Sequence, residues 1–390
     1  MSRRGKRRGI LGAVSSRRKY AWIGALVVVC GAGCGIDAVA TAGAGPTSPD
    51  ASSLDGEAHL PEAGPGLDAV DAPVDVGCVA DLKTDTLNCG RCGHSCLDGD
   101  CAAGKCGPVV LVSGEPGLGA VALDATTIYF AVQDSGGIRS LPIAGGLPTD
   151  VLSTGRAPHD LVLDGDRLFW GDQFGAGMHI FSPPSTITIG SVGSVGRVTA
   201  LAKTPTHVYM ITQGMPDTTV DYWKRDFTSP IGLVNNGASP AVVVDGANAY
   251  WSAGKEIRRV PYGTTTVANV VVGLATAPTS MAITPTHLYW ATPSQVQRGT
   301  IASGTGWTVA TLVTGETNAG SLTVDASGMY WLDLPTGALR HAALSGGPPE
   351  TLATFSPQAT VGMFPRQIAL SATAIYVAST TDGTLSRIAK

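Results

Sequence analysis

Ten residues, VVVDGANAYW (Val242 to Trp251), recur six more times along this chain, and that repetition limits its fold more than any other feature. The other copies are VALDATTIYF from Val121, LVLDGDRLFW from Leu161, LAKTPTHVYM from Leu201, MAITPTHLYW from Met281, LTVDASGMYW from Leu322 and IALSATAIYV from Ile368. Their first aromatics, Tyr129, Phe169, Tyr209, Tyr250, Tyr289, Tyr330 and Tyr376, lie 40, 40, 41, 39, 41 and 46 residues apart. A period of this size built from short strands and turns reads as a β-propeller. The expected fold class is therefore all-β, a seven-bladed β-propeller with four-stranded blades over 107–390.

The copy at Val242 predicts each blade. Val242 to Val244 is the inner strand, Ala249 to Trp251 the second, Ile257 to Pro261 the third and Ala268 to Val272 the outer one. The second strand is apolar at three consecutive positions in every copy, as in Leu288-Tyr289-Trp290. A half-solvated strand would alternate, so this strand is expected to be covered on both faces by neighbouring blades. The chain ends on a third-strand pattern, Thr384 to Ile388, and the missing outer strand stands at the start as Val109 to Gly114. Pairing the two would close the ring and leave no open edge.

An isolated Asp beside aromatics, such as Asp245, invites a catalytic reading. Its equivalents are Asp124, Asp164, Thr204, Thr284, Asp325 and Ser371. All are short side chains with an acceptor oxygen at the first turn of a blade. Asp, Thr and Ser share the ability to bond the backbone of their own turn, but not the chemistry of metal binding or catalysis. The position is read as a turn cap.

Tyr330-Trp331-Leu332-Asp333, with Phe169-Trp170-Gly171-Asp172 close behind, resembles the repeat of the YWTD-type propellers of lipoprotein receptors. The copies are also similar to NHL-like and related bacterial propellers. The resemblance covers 107–390 and implies the fold. The receptor family usually has six blades, and this chain has seven copies.

Residues 1–33 read as an export signal: eight basic residues and no acid, with the apolar run Ala21 to Cys30 too short to span a bilayer. Gly31-Ala32-Gly33-Cys34 resembles a bacterial lipobox, which makes Cys34 the expected lipidated residue, simple cleavage nearby being the other reading. Ser16-Arg17-Arg18-Lys19-Tyr20 resembles a twin-arginine signal, and an ordinary basic signal region fits it equally. Without 1–33 the chain keeps 18 basic residues against 30 acidic, a net charge of about −12. Nucleic acid is not an expected partner of so acidic a chain. Residues 34–77 form an acidic linker with no Lys or Arg, expected to be disordered and to reach roughly 35 Å as a coil.

Residues 78–106 hold six of the eight cysteines: Cys78, Cys89, Cys92, Cys96, Cys101 and Cys106. Cys89, Cys92 and Cys96 with His94 offer a zinc set. The export signal and the even count favour three disulfides, with 15 possible pairings. TDTLNCGRCGHSC resembles a small cysteine-rich module near the N-terminus of many predicted bacterial surface lipoproteins, a resemblance that implies no activity.

Function is sought where the repeat breaks. Before the inner strand most copies carry small or mildly polar pairs, but two carry His159-Asp160 and Arg366-Gln367. Gln133, Asp134, Asp172, Gln173 and Asp382 are expected near them at one side of the channel mouth, forming a candidate ligand site. Two long loops, Thr212 to Asp217 and Ser356 to Pro365 with Met363 and Phe364, are expected on the same face. The motifs of serine hydrolases, zinc proteases, P-loops and dinucleotide sites are absent. The reading is an exported, membrane-anchored, monomeric propeller without cofactor that binds an extracytoplasmic protein or glycan. The alternative is a metal-dependent hydrolase or lyase using His159, Asp134, Asp160 and Asp172.

Overall fold

The computed structural model describes residues 80–181, 184–190, 197–213, 218–224, 230–233, 238–358 and 367–390. The chain divides into two compact units, Met1–Val70 and Asp71–Lys390, and every described residue lies in the second. Cys34, Cys78, Arg366, Met363, Phe364 and the expected linker fall outside the described residues.

Seven antiparallel four-stranded sheets follow one another, as the repeat predicts. Blade one consists of Leu118–Leu123, Thr127–Val132, Gly137–Pro142 and Thr149–Ser153. Blade four consists of Ala238–Val244, Asn248–Ala253, Glu256–Pro261 and Ala268–Val271. Blade seven joins Ile368–Leu370, Ala374–Ser379 and Thr384–Ala389 to Val109–Val112. In that last pair Val110 faces Ser386 and Val112 faces Leu385. The N-terminal strand thus completes the last blade, and no blade is left with a missing outer strand.

The two aromatics of each copy explain how the blades mesh. Successive residues of a strand point to opposite faces. Tyr250 therefore packs toward blade five, in one cluster with Trp290. Trp251 packs toward blade three, in one cluster with Tyr209. The rule holds around the ring: Tyr129 with Trp170, Phe169 with Met210, Tyr289 with Trp331, and Tyr330 with Val377. It also holds across the seam, where Tyr376 of blade seven packs with Phe130 of blade one. Trp170, Trp251, Trp290 and Trp331 are fully buried. Trp331 Nε1 donates to Glu316 Oε2 at 2.9 Å and Trp290 Nε1 to Gln297 Oε1 at 2.8 Å. In blade two the third strand must pass under the Trp170 ring, and a Cβ at Gly177 would strike it.

The first-turn oxygens cap their turns. Asp245 Oδ1 accepts from Ala247 N (2.7 Å) and Asn248 N (2.6 Å), and Oδ2 accepts from Tyr250 Oη (2.7 Å). Asp124, Thr204, Thr284, Asp325 and Ser371 each accept backbone N–H groups two or three residues on. The carboxylate of Asp164 reaches Lys203 Nζ of the next blade at 2.6 Å.

In the cysteine module a hairpin, Cys101–Ala102 with Lys105–Cys106, turns through Ala103 and Gly104, both at positive φ. Disulfides join Cys89 to Cys101 and Cys96 to Cys106, and Cys92 is also disulfide-bonded. The zinc reading of Cys89, Cys92 and Cys96 is thereby corrected, because oxidised sulfurs are not thiolate ligands. The sulfurs of Cys89, Cys96 and Cys106 cluster because two disulfides lie side by side. The module packs on the closing strand. Cys89, Cys96 and Cys106 share a cluster with Ala389, and Arg387 Nη2 donates to Leu97 O and to Asp98 Oδ2, the latter at 2.8 Å.

In blade three the expected long loop begins as extra ladder. Thr212 pairs with Thr219 and Gln213 with Thr218, and 214–217 lie outside the described residues. No helix among the described residues is long and apolar enough to cross a membrane.

Candidate binding site at the channel mouth

A β-bulge sets the geometry of the mouth. Inner strands shift register just before their apolar run, between Pro158 and Asp160 in blade two and between Val198 and Ala200 in blade three. In blade two the extra residue is His159. A bulge re-aims the side chains on either side of it, and here both turn inward: His159 is 4% exposed and Asp160 is 0% exposed.

Asp160 uses both carboxylate oxygens on backbone. Oδ1 accepts from Leu161 N at 3.0 Å, and Oδ2 accepts from Leu201 N of blade three at 2.6 Å. Ser280 occupies the same repeat position in blade five, and its Oγ accepts from Leu322 N of blade six at 3.0 Å. Gln367, at that position in blade seven, accepts from Ser321 Oγ of blade six at 3.2 Å. This position therefore carries struts between blades.

His159 Nδ1 lies 2.8 Å from Gln133 Nε2 of blade one. Burial, and secondarily the charge of Arg197, push the imidazole down to about 4, so the ring is neutral at pH 7. Asp172 closes the second strand of blade two, with Oδ1 accepting from Phe174 N at 2.7 Å and lying 3.8 Å from Arg156 Nη1. Burial raises its carboxyl above the ordinary value. Asp333 is its counterpart in blade six. Burial pushes its carboxyl up, but bonds from Thr317, Asn318 and Thr336 outweigh that and hold it below the usual range. The Asp333 carboxylate thus ties its own turn, through Thr336, to the loop before the inner strand, through Thr317 and Asn318.

Gln133 meets His159 between blades one and two, and Asp172 pairs with Arg156. Gln367, Gln358, Ser379 and Asp382 gather in blade seven, where Ser379 Oγ donates to Asp382 Oδ2 at 2.7 Å and Gln358 Nε2 to Ser379 Oγ at 2.9 Å. Asp134, Gln173 and Asp382 are exposed. The cation set of the alternative reading is not assembled. Among the described residues, no three ligand atoms of His159, Asp134, Asp160 and Asp172 come within 4.8 Å of one another.

Three residues at this mouth escape sequence reasoning. Phe174 is 48% exposed on the turn after Asp172, with the Arg156 guanidinium 5.4 Å over its ring. Arg197 starts the inner strand of blade three, and its Nε and Nη2 are buried without a partner among the described residues. Phe174 carried a readable signal, an aromatic where a solvated turn needs none. Arg156 and Arg197 carried none, because each is an ordinary basic residue beside a strand. The rim thus offers an aromatic face, a guanidinium, an amide and a carboxylate on a rigid base. That set suits recognition by contact and hydrogen bonding; the buried His159 and Asp160 are spent on the scaffold.

No protein-family model matches the chain, and no curated protein sequence does. Solved structures do match. A chain of a mitotic checkpoint complex is 11% identical, with 72% of this chain and 94% of that chain covered and a TM-score of 0.55. The computationally designed Ika8 protein is 12% identical, with 72% and 98% covered and a TM-score of 0.52. A chain of a nidogen/laminin complex is 16% identical, with 60% and 94% covered, and its TM-score of 0.47 is below the level at which a shared fold follows. At these identities the first two likenesses concern the fold alone.

Proposed function

We propose that this chain is an exported bacterial lipoprotein, anchored at the envelope through Cys34, whose propeller binds a protein or glycan and performs no chemistry. The observation that carries the reading is the rim of blades one and two. Phe174, Arg156, Gln173 and Asp134 stand over a base whose titratable groups are committed to backbone and neighbours. Rigid scaffolds that present varied loop residues are suited to recognition. The lipobox-like segment, the acidic linker and the cysteine module support export, and the YWTD and NHL-like resemblance supports the propeller scaffold. The protein acts as a monomer, and nucleic acid is not its partner.

Affinity capture from envelope extracts tests the site. Phe174→Ala with Arg156→Ala should remove at least one captured component that Gln213→Ala, on blade three, retains. Capture unchanged by the double variant would refute the mouth as the site. Cys34→Ser should move the protein from the membrane to the soluble fraction, and unchanged partitioning would refute the anchor alone.

A further inference from the structure

We propose that the cysteine module is a redox latch on the propeller: its disulfides hold the ring shut at the seam, and their reduction lets the seam open. The latch concerns the closure and not the mouth, so it stands whatever the mouth binds.

In blades one and four a turn carries the chain from the third strand to the outer one, from Pro142 to Thr149 and from Pro261 to Ala268. Blade seven has no such turn, because its outer strand, Val109–Val112, precedes the other three in the chain. That strand is short, and its register with Thr384–Ala389 shifts between Val110 and Val112. Its pairing closes the whole ring, and a long closure costs more entropy than a tight turn. The module sits at the end of the seam where the turn would be, beside the pair Val109 and Arg387. It grips both strands. Toward the outer strand, Cys106 is bonded to Cys96, Gly107 N donates to Asp100 O at 2.8 Å, and a Cβ at Gly99 would press on Gly107 O and Val109. Toward the third strand, Cys89, Cys96 and Cys106 share a cluster with Ala389, and Leu97 packs against the cluster that holds Val112 and Leu385. Between the module and blades six and seven, by contrast, lies a cleft of about 640 Å³, so the grip is concentrated at the seam.

Arg387 links that grip to the disulfides. Its side chain is 8% exposed, and its acceptors among the described residues, Leu97 O and Asp98 Oδ2, both belong to the module. Leu97 and Asp98 lie at φ 53° and 71°, the left-handed region that side chains avoid. The Cys96–Cys106 bridge adjoins this turn and holds it. Without the bridge the turn relaxes, and the guanidinium is left buried without acceptors, which is costly. A dithiol reductant supplies two electrons and two protons to each bridge. The S–S bond becomes two thiols, and the dithiol closes to its own disulfide.

Hydrogen exchange on the full chain, read by mass spectrometry with and without dithiothreitol, tests this. Alkylation of the freed thiols shows which bridges are reduced. On reduction the peptides holding 109–112 and 384–389 should exchange roughly tenfold faster or more, while Asn248–Ala253 of blade four stays protected. Cys96 and Cys106 are buried, so where their bridge resists the reagent, Cys96→Ala with Cys106→Ala decides. That double variant should open the same two strands without reductant. Unchanged exchange at the seam once the bridge is gone would overturn the latch. So would equal loss of protection in blade four and at the seam, in the reduced chain or the double variant, because the disulfides would then stabilise the whole fold.

Discussion

The two ends of the strands in this propeller handle polar side chains differently. At the first-turn end, seven short oxygens recur at one repeat position, and most act within their own turn, as Asp245 does for Ala247 and Asn248. At the mouth end, polar residues act between blades, in ordinary copies of the repeat as well as in those that break it. Asp160 holds Leu201 N of the next blade, Gln133 meets His159, and Thr279 Oγ1 donates to Ala319 O of the following blade at 2.5 Å. A periodic residue answers a local need that every blade shares. A mouth-end residue answers a need of one interface, and its identity differs from blade to blade: Asp160, Ser280 and Gln367 share one position.

The largest effect that would sharpen this contrast is expected at Asp160. Asp160→Ala strands two buried N–H groups in two blades, a loss of about 2–5 kcal/mol in urea unfolding. Asp160→Asn keeps one acceptor and should lose about half of that. Wild-type stability in Asp160→Ala would break the strut reading.

Next is the pH dependence of His159. Its folded-state value, about 4, is depressed below the unfolded 6.5, so the unfolded chain binds more protons between them. The stability contribution is complete above about pH 6.5 and disappears as pH falls toward 4, with a span on the order of 3 kcal/mol. His159→Gln should flatten unfolding free energy across that window relative to wild type. An unchanged slope would mean that the ring is not held neutral by its surroundings. Asp245 titrates lower. Burial opposes ionisation there, but the bonds from Tyr250, Ala247 and Asn248 win and depress its carboxyl, so its stabilisation is present above the unfolded value of about 3.9 and is lost as pH falls below it.

The smallest effect belongs to a cap. Asp245→Ala should cost about 1–2 kcal/mol, and Asp245→Asn, which retains the Oδ1 acceptor, about half as much. A cost at Asp245 as large as that at Asp160 would erase the distinction between local and inter-blade roles.

Most of the fold was legible because its causes are periodic. Aromatic pairs every 40 or so residues, with three apolar neighbours, announce strands covered on both faces, and the outer-strand pattern from Val109 announces the closure. Six of the seven first-turn residues read as caps are seen capping, because the bond joins residues two or three apart. At the mouth, sequence picked His159, Asp160 and Gln367 as exceptions but not their burial, since a one-residue bulge decides which way a side chain points. The pairing of Phe174 with Arg156, and the cleft beside the cysteine module, were illegible for another reason. They bring together separate loops, or residues 299 apart such as Arg91 and Lys390.

The amino-acid sequence alone determined the number of blades, the strand order within each, the seam and the role of Asp245, because local spacing and hydrophobic burial suffice for these. The tertiary structure alone decided which polar groups are buried and which face solvent, and it created the cleft beneath the module. Those outcomes depend on how separate segments pack, and packing distance is not written in sequence spacing.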